Sequence, residues 1–300
     1  MASKTVYSDD SRLNELISDY KISDIAKIVG RNVLLGHADD EGIRLNNGRA
    51  GSALAPDLIR AEFKKLTPGR ADFPQIADVG NLTYQGTLAE RQNQALETVK
   101  SVYLNNHRLL ALGGGHDHAF SDVGGFLESF SKKKPIVINL DAHLDLRPLI
   151  KSPTSGTPFY QLIERYRPFD FYEIGIQQHS SSLAHLDYAK TNKVKVYTFL
   201  QSHGHLRTIF NGLIKLAKNR PVFLSLDIDA FSSAYAPGAS AASPIGLDPN
   251  EFLKIMPQVA SKLNIQGLGI YEVSPPLDVD SKTSKLAAIF MHSFLLHAKK

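Results

Sequence analysis

The chain has 300 residues, with 34 Lys and Arg against 30 Asp and Glu, a formal net charge of +4, and no cysteine. Lack of cysteine excludes disulfides, thiolate nucleophiles and Cys-ligated zinc or iron–sulfur sites. A near-balanced charge, whose one dense run Lys132-Lys133-Lys134 reads as a solvated helix end, argues against a nucleic-acid partner. No apolar stretch approaches the roughly 18–20 residues that span a bilayer. The opening MASKTVYSDDSRLNELISDY has no apolar segment of the kind a secretory signal carries. A soluble, cytoplasmic protein with no membrane partner is expected.

Short apolar, β-branched runs recur along the chain at Asn32–Leu35, Ile76–Val79, Arg108–Leu112, Pro135–Asp141, Phe171–Ile176, Lys193–Phe199, Pro221–Asp227 and Ile265–Val273. Between them lie stretches of period near 3.6, such as Thr87–Asn106, His205–Lys218 and Asn250–Leu263. Eight strands alternating with helices predict an α/β fold, with a central, mostly parallel eight-stranded sheet covered on both faces. No linker or composition shift divides the chain, so 1–300 reads as a single domain. In such sheets ligands gather at the carboxyl ends of the strands.

Three of the runs end in loops bearing acids or histidines. Arg108–Leu112 leads into Gly113-Gly114-Gly115-His116-Asp117-His118; the next run ends in Asp141-Ala142-His143-Leu144-Asp145, and a later one in Asp227-Ile228-Asp229. Spacing by two would project Asp141, His143 and Asp145 from one side of an extended strand end, and Asp227 with Asp229 likewise. An Asp-x-Asp alone more often marks a turn or helix cap. His118 reads as a neighbour of the site or a helix opening rather than a ligand. Several anions at the tips of buried strands are costly unless neutralised, and no Lys or Arg lies inside either acidic cluster. The four carboxylates Asp141, Asp145, Asp227 and Asp229 balance two divalent cations.

Gly-Gly-x-His, Asp-Ala-His-x-Asp and Ser-x-Asp-x-Asp in this order resemble the ureohydrolase (arginase/agmatinase) family of binuclear manganese hydrolases, from about Gly36 to Pro276. The resemblance implies the three-layer α/β/α arginase-like fold and two Mn²⁺ ions per subunit. It would place His116 and Asp145 on one ion and His143 and Asp229 on the other, with Asp141 and Asp227 bridging. Nitrogen and oxygen ligands alone leave Zn²⁺, Fe²⁺ and Ni²⁺ open. The implied nucleophile is a metal-bridging hydroxide that attacks the carbon of a planar amidine or guanidine. Glu272, in Tyr271-Glu272-Val273-Ser274-Pro275, takes the slot of the family's substrate-cation carboxylate, and Asp145 that of a proton relay. The family also implies a homo-oligomer.

Three departures narrow the substrate. Ser155 in Ser155-Gly156-Thr157 stands where arginases carry a proton-shuttling His. The stretch Asp229–Gly238 lacks their Asp-Pro, and Gly115 replaces the usual acid before His116. All three variants, and the stretch from Asp40 to Gly51 that contains Asn47, resemble the branch that hydrolyses N-formimidoyl-L-glutamate to L-glutamate and formamide in histidine degradation. A small-molecule dicarboxylate with one amidinium needs a cationic pocket. Arg147 could grip one carboxylate bidentately, unless it serves only a salt bridge to a nearby acid. Arg44 and Arg49 are candidates for the second, with Ser155 and Asn47 adding hydrogen bonds. The alternatives are another ureohydrolase (guanidinobutyrase, agmatinase or arginase), or a non-catalytic metal-bearing binding protein on the same fold.

Overall fold

The computed structural model describes residues 11–299. The first ten residues, half of the stretch read as lacking a secretory signal, lie outside it. Nine strands form one sheet: β1 (Ile17–Asp19), β2 (Asn32–Gly36), β3 (Ile76–Asn81), β4 (Arg108–Leu112), β5 (Ile136–Leu140), β6 (Asp170–Ile176), β7 (Lys195–Thr198), β8 (Pro221–Asp227) and β9 (Asn264–Tyr271). Their order is β1-β3-β2-β4-β9-β8-β5-β6-β7, and every pairing is parallel.

The sheet therefore has one strand more than the eight expected. The extra strand, β1, spans three residues at the sheet edge, none of them buried, and pairs only with β3. So short and polar a segment carries no apolar run for periodicity to register.

The helices are α1 (Glu41–Leu45), α2 (Ala55–Lys64), α3 (Leu88–Leu104), α4 (Ala119–Phe130), α5 (Pro158–Tyr166), α6 (Leu183–Thr191), α7 (Phe199–Ser202), α8 (Leu206–Ala217), α9 (Pro249–Lys262) and α10 (Lys282–His297). Strand alternation splits the core in two. Leu110, Leu112, Ile136, Ile138, Leu224 and Leu226 pack with Phe63 of α2, Phe210 of α8, Phe252 of α9 and Phe290 of α10. Leu109, Ala111, Val137 and Phe223 point the other way, to Val99 of α3, Phe126 of α4 and Phe159 of α5. This is the three-layer arrangement expected, because strands buried on both faces must be apolar at every position. No helix of the described residues is long and apolar enough to cross a membrane. Lys132 and Lys133 sit in an exposed 3-10 turn after α4, as a solvated helix end should.

Candidate metal centre and its cleft

The four strands in the middle of the sheet, β4, β9, β8 and β5, are neighbours in space though distant in sequence. Their carboxyl ends deliver His116, then Glu272, then Asp227 and Asp229, then Asp141, His143 and Asp145. Convergence is thus a property of strand order. Glycines let the β4 loop come close enough: a Cβ on Gly114 would collide with the backbone oxygens of Asp39 and His37, and one on Gly113 with the ring of Tyr271.

The chain leaves β5 and β8 by turns rather than by extended strand. An Asp141 oxygen accepts the His143 N–H at 2.7 Å, and an Asp227 oxygen accepts the Asp229 N–H at 2.9 Å. Both are Asp side chains closing a turn on the backbone two residues on. Asp145 then adopts a left-handed φ of 47°. The expectation of residues alternating on one side of an extended strand is corrected: the turns rotate successive side chains into two different groups.

In the first group His116 Nδ1 lies 3.1 Å from an oxygen of each of Asp141, Asp145 and Asp227. In the second, His143 Nδ1 lies 3.1 Å from Asp229 and 3.7 Å from Asp141. The ligand-capable atoms within each group lie within 4.8 Å of one another, and Asp141 belongs to both. His116 is fully buried, yet its Nδ1 makes no hydrogen bond. A buried orphan nitrogen ringed by carboxylate oxygens is what a cation would satisfy, and two imidazoles with four carboxylates suit a divalent ion of intermediate hardness. The residues present therefore fit two such ions.

The protonation energetics of the bare cluster agree. Burial opposes a charge on His116, but the three facing carboxylates outweigh it and push the imidazole well above its ordinary value. Asp229 draws His143 up to about 12 against the effect of burial. Burial, and then the charge of Asp141, push Asp145 up to about 6. Protons supply the positive charge that metal ions would replace.

Two buried polar residues support the ligands. Ser225 Oγ lies 3.0 Å from His116 Nε2, so an imidazole using Nδ1 toward a cation donates its Nε2–H to Ser225. Asn139 donates to Asp141 at 3.1 Å and to the buried Glu173 at 2.9 Å. Sequence reasoning gave neither a role, although Ser225 is the Ser of Ser-x-Asp-x-Asp and a signal existed: each is the polar residue of an apolar strand, two positions before Asp227 or Asp141 and so on the same side. Replacing Ser225 by Ala is expected to weaken manganese affinity about 10–100-fold, the usual effect of losing a partner that orients a ligating His. Isothermal titration of chelator-stripped protein measures it, and unchanged affinity would remove Ser225 from that role.

The cluster floors a cleft of about 400 Å³. Glu272 lines it; only 5% exposed, and with φ at 64°, it accepts the His116 N–H at 2.9 Å. Its burial sets it apart from an ordinary surface carboxylate. Burial, and then the charges of Asp229 and Asp145, push its carboxyl well above the ordinary range, opposed by that hydrogen bond and by His116. His118 lies outside both groups, stacked on His37 and Tyr84.

Arg147, Ser155, Arg49 and Asn47 all line the cleft, whereas Arg44 does not. Arg44 pairs with Asp40 one helical turn back, and its side chain points largely into solvent. That corrects its candidacy for a carboxylate. Arg49 donates to the carbonyls of Ser240 and Ala239, at 2.9 and 3.0 Å. Ser155 accepts from Asn46 at 3.0 Å. Arg147 forms no side-chain ion pair among the described residues, so the salt-bridge alternative for it does not hold. Its side chain lies across Gly156, where a Cβ would meet the Arg147 Cδ at 2.7 Å. Asn46, Ser180, Ser182, His185 and Ser240 complete the walls. Asn46 falls in the Asp40–Gly51 stretch, but the other four belong to no motif, and only the folding of their loops over the sheet brings them here.

The arginase family model matches residues 32–297. The chain belongs to the arginase family. A formimidoylglutamase of Staphylococcus haemolyticus is 33% identical over 267 residues, covering 88% of this chain and 85% of that protein. The structure of a formimidoylglutamase from Bacillus subtilis superposes with a TM-score of 0.85 at 25% identity, over 98% of this chain and 94% of the other. A formiminoglutamase of Trypanosoma cruzi, solved with Mn²⁺, gives 0.85 at 25% identity, over 96% and 98%. The expected arginase-like fold is therefore present, and this member of the family is a hydrolase acting on amidines.

Proposed function

We propose that this hydrolase cleaves the amidine C–N bond of N-formimidoyl-L-glutamate to L-glutamate and formamide, with two Mn²⁺ ions as its cofactor. The observation that carries the reading is the segregation of charge in the cleft. All acids among its described lining residues, Asp145, Asp227, Asp229 and Glu272, lie at the metal-binding floor, while Arg49, Arg147 and His185 occupy the walls. A substrate with one amidinium and two carboxylates matches that polarity. Agmatine, cationic at both ends, would put its second charge against guanidinium groups. The relatives named formimidoylglutamase favour the same choice.

His116, Asp141, Asp145 and Asp227 would hold one ion, and Asp141, His143 and Asp229 the other, with Asp227 a second candidate bridge beside Asp141. When bound, such a pair supplies a water acidic enough to be a nucleophile at neutral pH. The protein's own groups do the rest. Glu272, fixed by the His116 N–H, pairs with the amidinium and holds its plane over the floor. Asp145, at the edge of the first group, takes the proton of the attacking water on a carboxylate oxygen and returns it to the departing nitrogen of glutamate. Ser155, in the position of the arginase shuttle, carries no titratable proton in this pH range, which leaves Asp145 with that task. Arg147 orients one substrate carboxylate.

Purified protein loaded with Mn²⁺ is expected to release formamide from formimidoylglutamate and to make no urea from arginine; the reverse pattern overturns the substrate. Arg147→Ala is expected to raise KM for formimidoylglutamate about 10–100-fold with little change in kcat, the signature of lost uniform binding through a charged hydrogen bond. An unchanged KM would remove Arg147 from binding.

A further inference from the structure

Arg147 explains one carboxylate contact, but the cleft holds another unpaired basic group. His185 is anchored in the first turn of α6, where Ser182 Oγ accepts its backbone N–H at 3.2 Å. Its ring lines the cleft together with Arg147, and both also line an adjoining open chamber with Lys151. Neither the imidazole nor the guanidinium has a hydrogen bond or ion pair among the described residues. The other residues common to cleft and chamber, Asn46 and Asn47, are neutral. Two basic groups left side by side without a counter-charge form a site for an anion, and the first turn of a helix adds partial positive charge to it.

We propose that His185 is a specificity-determining residue: with Arg147 it clamps one carboxylate of the dianionic substrate, and its imidazole takes up a proton from solvent as that carboxylate arrives. The inference rests on the dicarboxylate reading above and adds to it the residue that, with Arg147, tells a substrate bearing that carboxylate from one that lacks it. In the free protein, burial and then the charge of Arg147 hold His185 below its ordinary value, which favours the neutral ring. Lys151 lines the outer chamber with it, and Asp187 and Lys190 share α6 with His185. A bound carboxylate reverses the balance, because an opposite charge within hydrogen-bond reach favours the imidazolium. Affinity for the dianion is then greatest at low pH. It falls across the pH window between the free and the bound value of His185.

Two measurements test this, the first on the manganese-loaded protein and the second on protein carrying diamagnetic Zn²⁺ in its place, because Mn²⁺ broadens nearby ring signals. The first is steady-state kinetics with formimidoylglutamate across that window. His185→Leu is expected to raise KM about tenfold at pH 6.5 with kcat unchanged. His185→Lys, a permanent cation, should keep KM low and flatten its pH dependence, which a merely structural role would not do. The second is the NMR titration of the His185 ring in the unaltered sequence, assigned by its loss in His185→Leu. L-glutamate should raise the titration midpoint by one pH unit or more, while chloride at matched ionic strength should not. Equal KM for wild type and His185→Leu at every pH, or a midpoint that L-glutamate leaves in place, overturns the clamp. A midpoint that rises in a protein releasing no formamide supports the clamp while overturning the substrate reading.

Discussion

Asp141→Asn is expected to abolish turnover and to remove most of the thermal stabilisation expected from the proposed manganese ions. Asp141 is the one residue common to both ligand groups, with one oxygen 3.1 Å from His116 Nδ1 and the other 3.7 Å from His143 Nδ1. An amide there presents one neutral oxygen and no charge, so each ion loses a ligand. Removing a mere orienting partner already costs about 10–100-fold in affinity, so a loss of at least about 100-fold is the minimum for a shared ligand. At an ion concentration 100 times the wild-type Kd, each bound ion stabilises the native protein by about 2.7 kcal/mol; a 100-fold weaker site keeps about 0.4 kcal/mol. The difference is about 4–5 °C in Tm per ion. Calorimetry with and without chelator, beside metal analysis, reads this directly. A variant with full manganese content and an undiminished rise in Tm would show that Asp141 holds no ion.

Glu272→Gln is expected to lower kcat/KM by about 10²–10³-fold, the size of effect seen when one preorganised electrostatic partner is removed from a reacting centre. The substitution isolates charge from shape. A glutamine oxygen can still accept the His116 N–H that Glu272 accepts at 2.9 Å, so the loops after β4 and β9 should keep their places and manganese content should match the wild type. What disappears is the negative charge opposite the amidinium. Near-wild-type kcat/KM in a fully loaded variant would show that the amidinium is held elsewhere.

Legibility from sequence followed burial. Central strands were readable because both faces are covered, leaving apolar runs such as Ile136–Leu140 and Pro221–Leu226 that break only at Asn139 and Ser225. Long helices were readable within a residue or two, as in α3, α8 and α9, because each buries one stripe. The edge strand β1 has no fully buried residue, only the half-buried Ile17, and left no pattern. At the site, Asp141, His143, Asp145, Asp227 and Asp229 were legible as chemistry, because acids and histidines at the tips of apolar strands need a cation. Their geometry was not. The same spacing by two that suggests an extended strand occurs in turns closed by Asp side chains, and only the turns sort these residues into two groups.

The sequence by itself determined the kind of fold, the residue types at the floor of the cleft and their need for positive charge, since hydrophobic periodicity and uncompensated buried acids are local facts. The strand order that sets β4, β9, β8 and β5 side by side was decided by tertiary structure alone. So was the meeting of Arg147 with His185. Each depends on which segments separated by tens of residues come to share one space, and that is fixed by packing the two faces of the sheet rather than by any neighbouring stretch of chain.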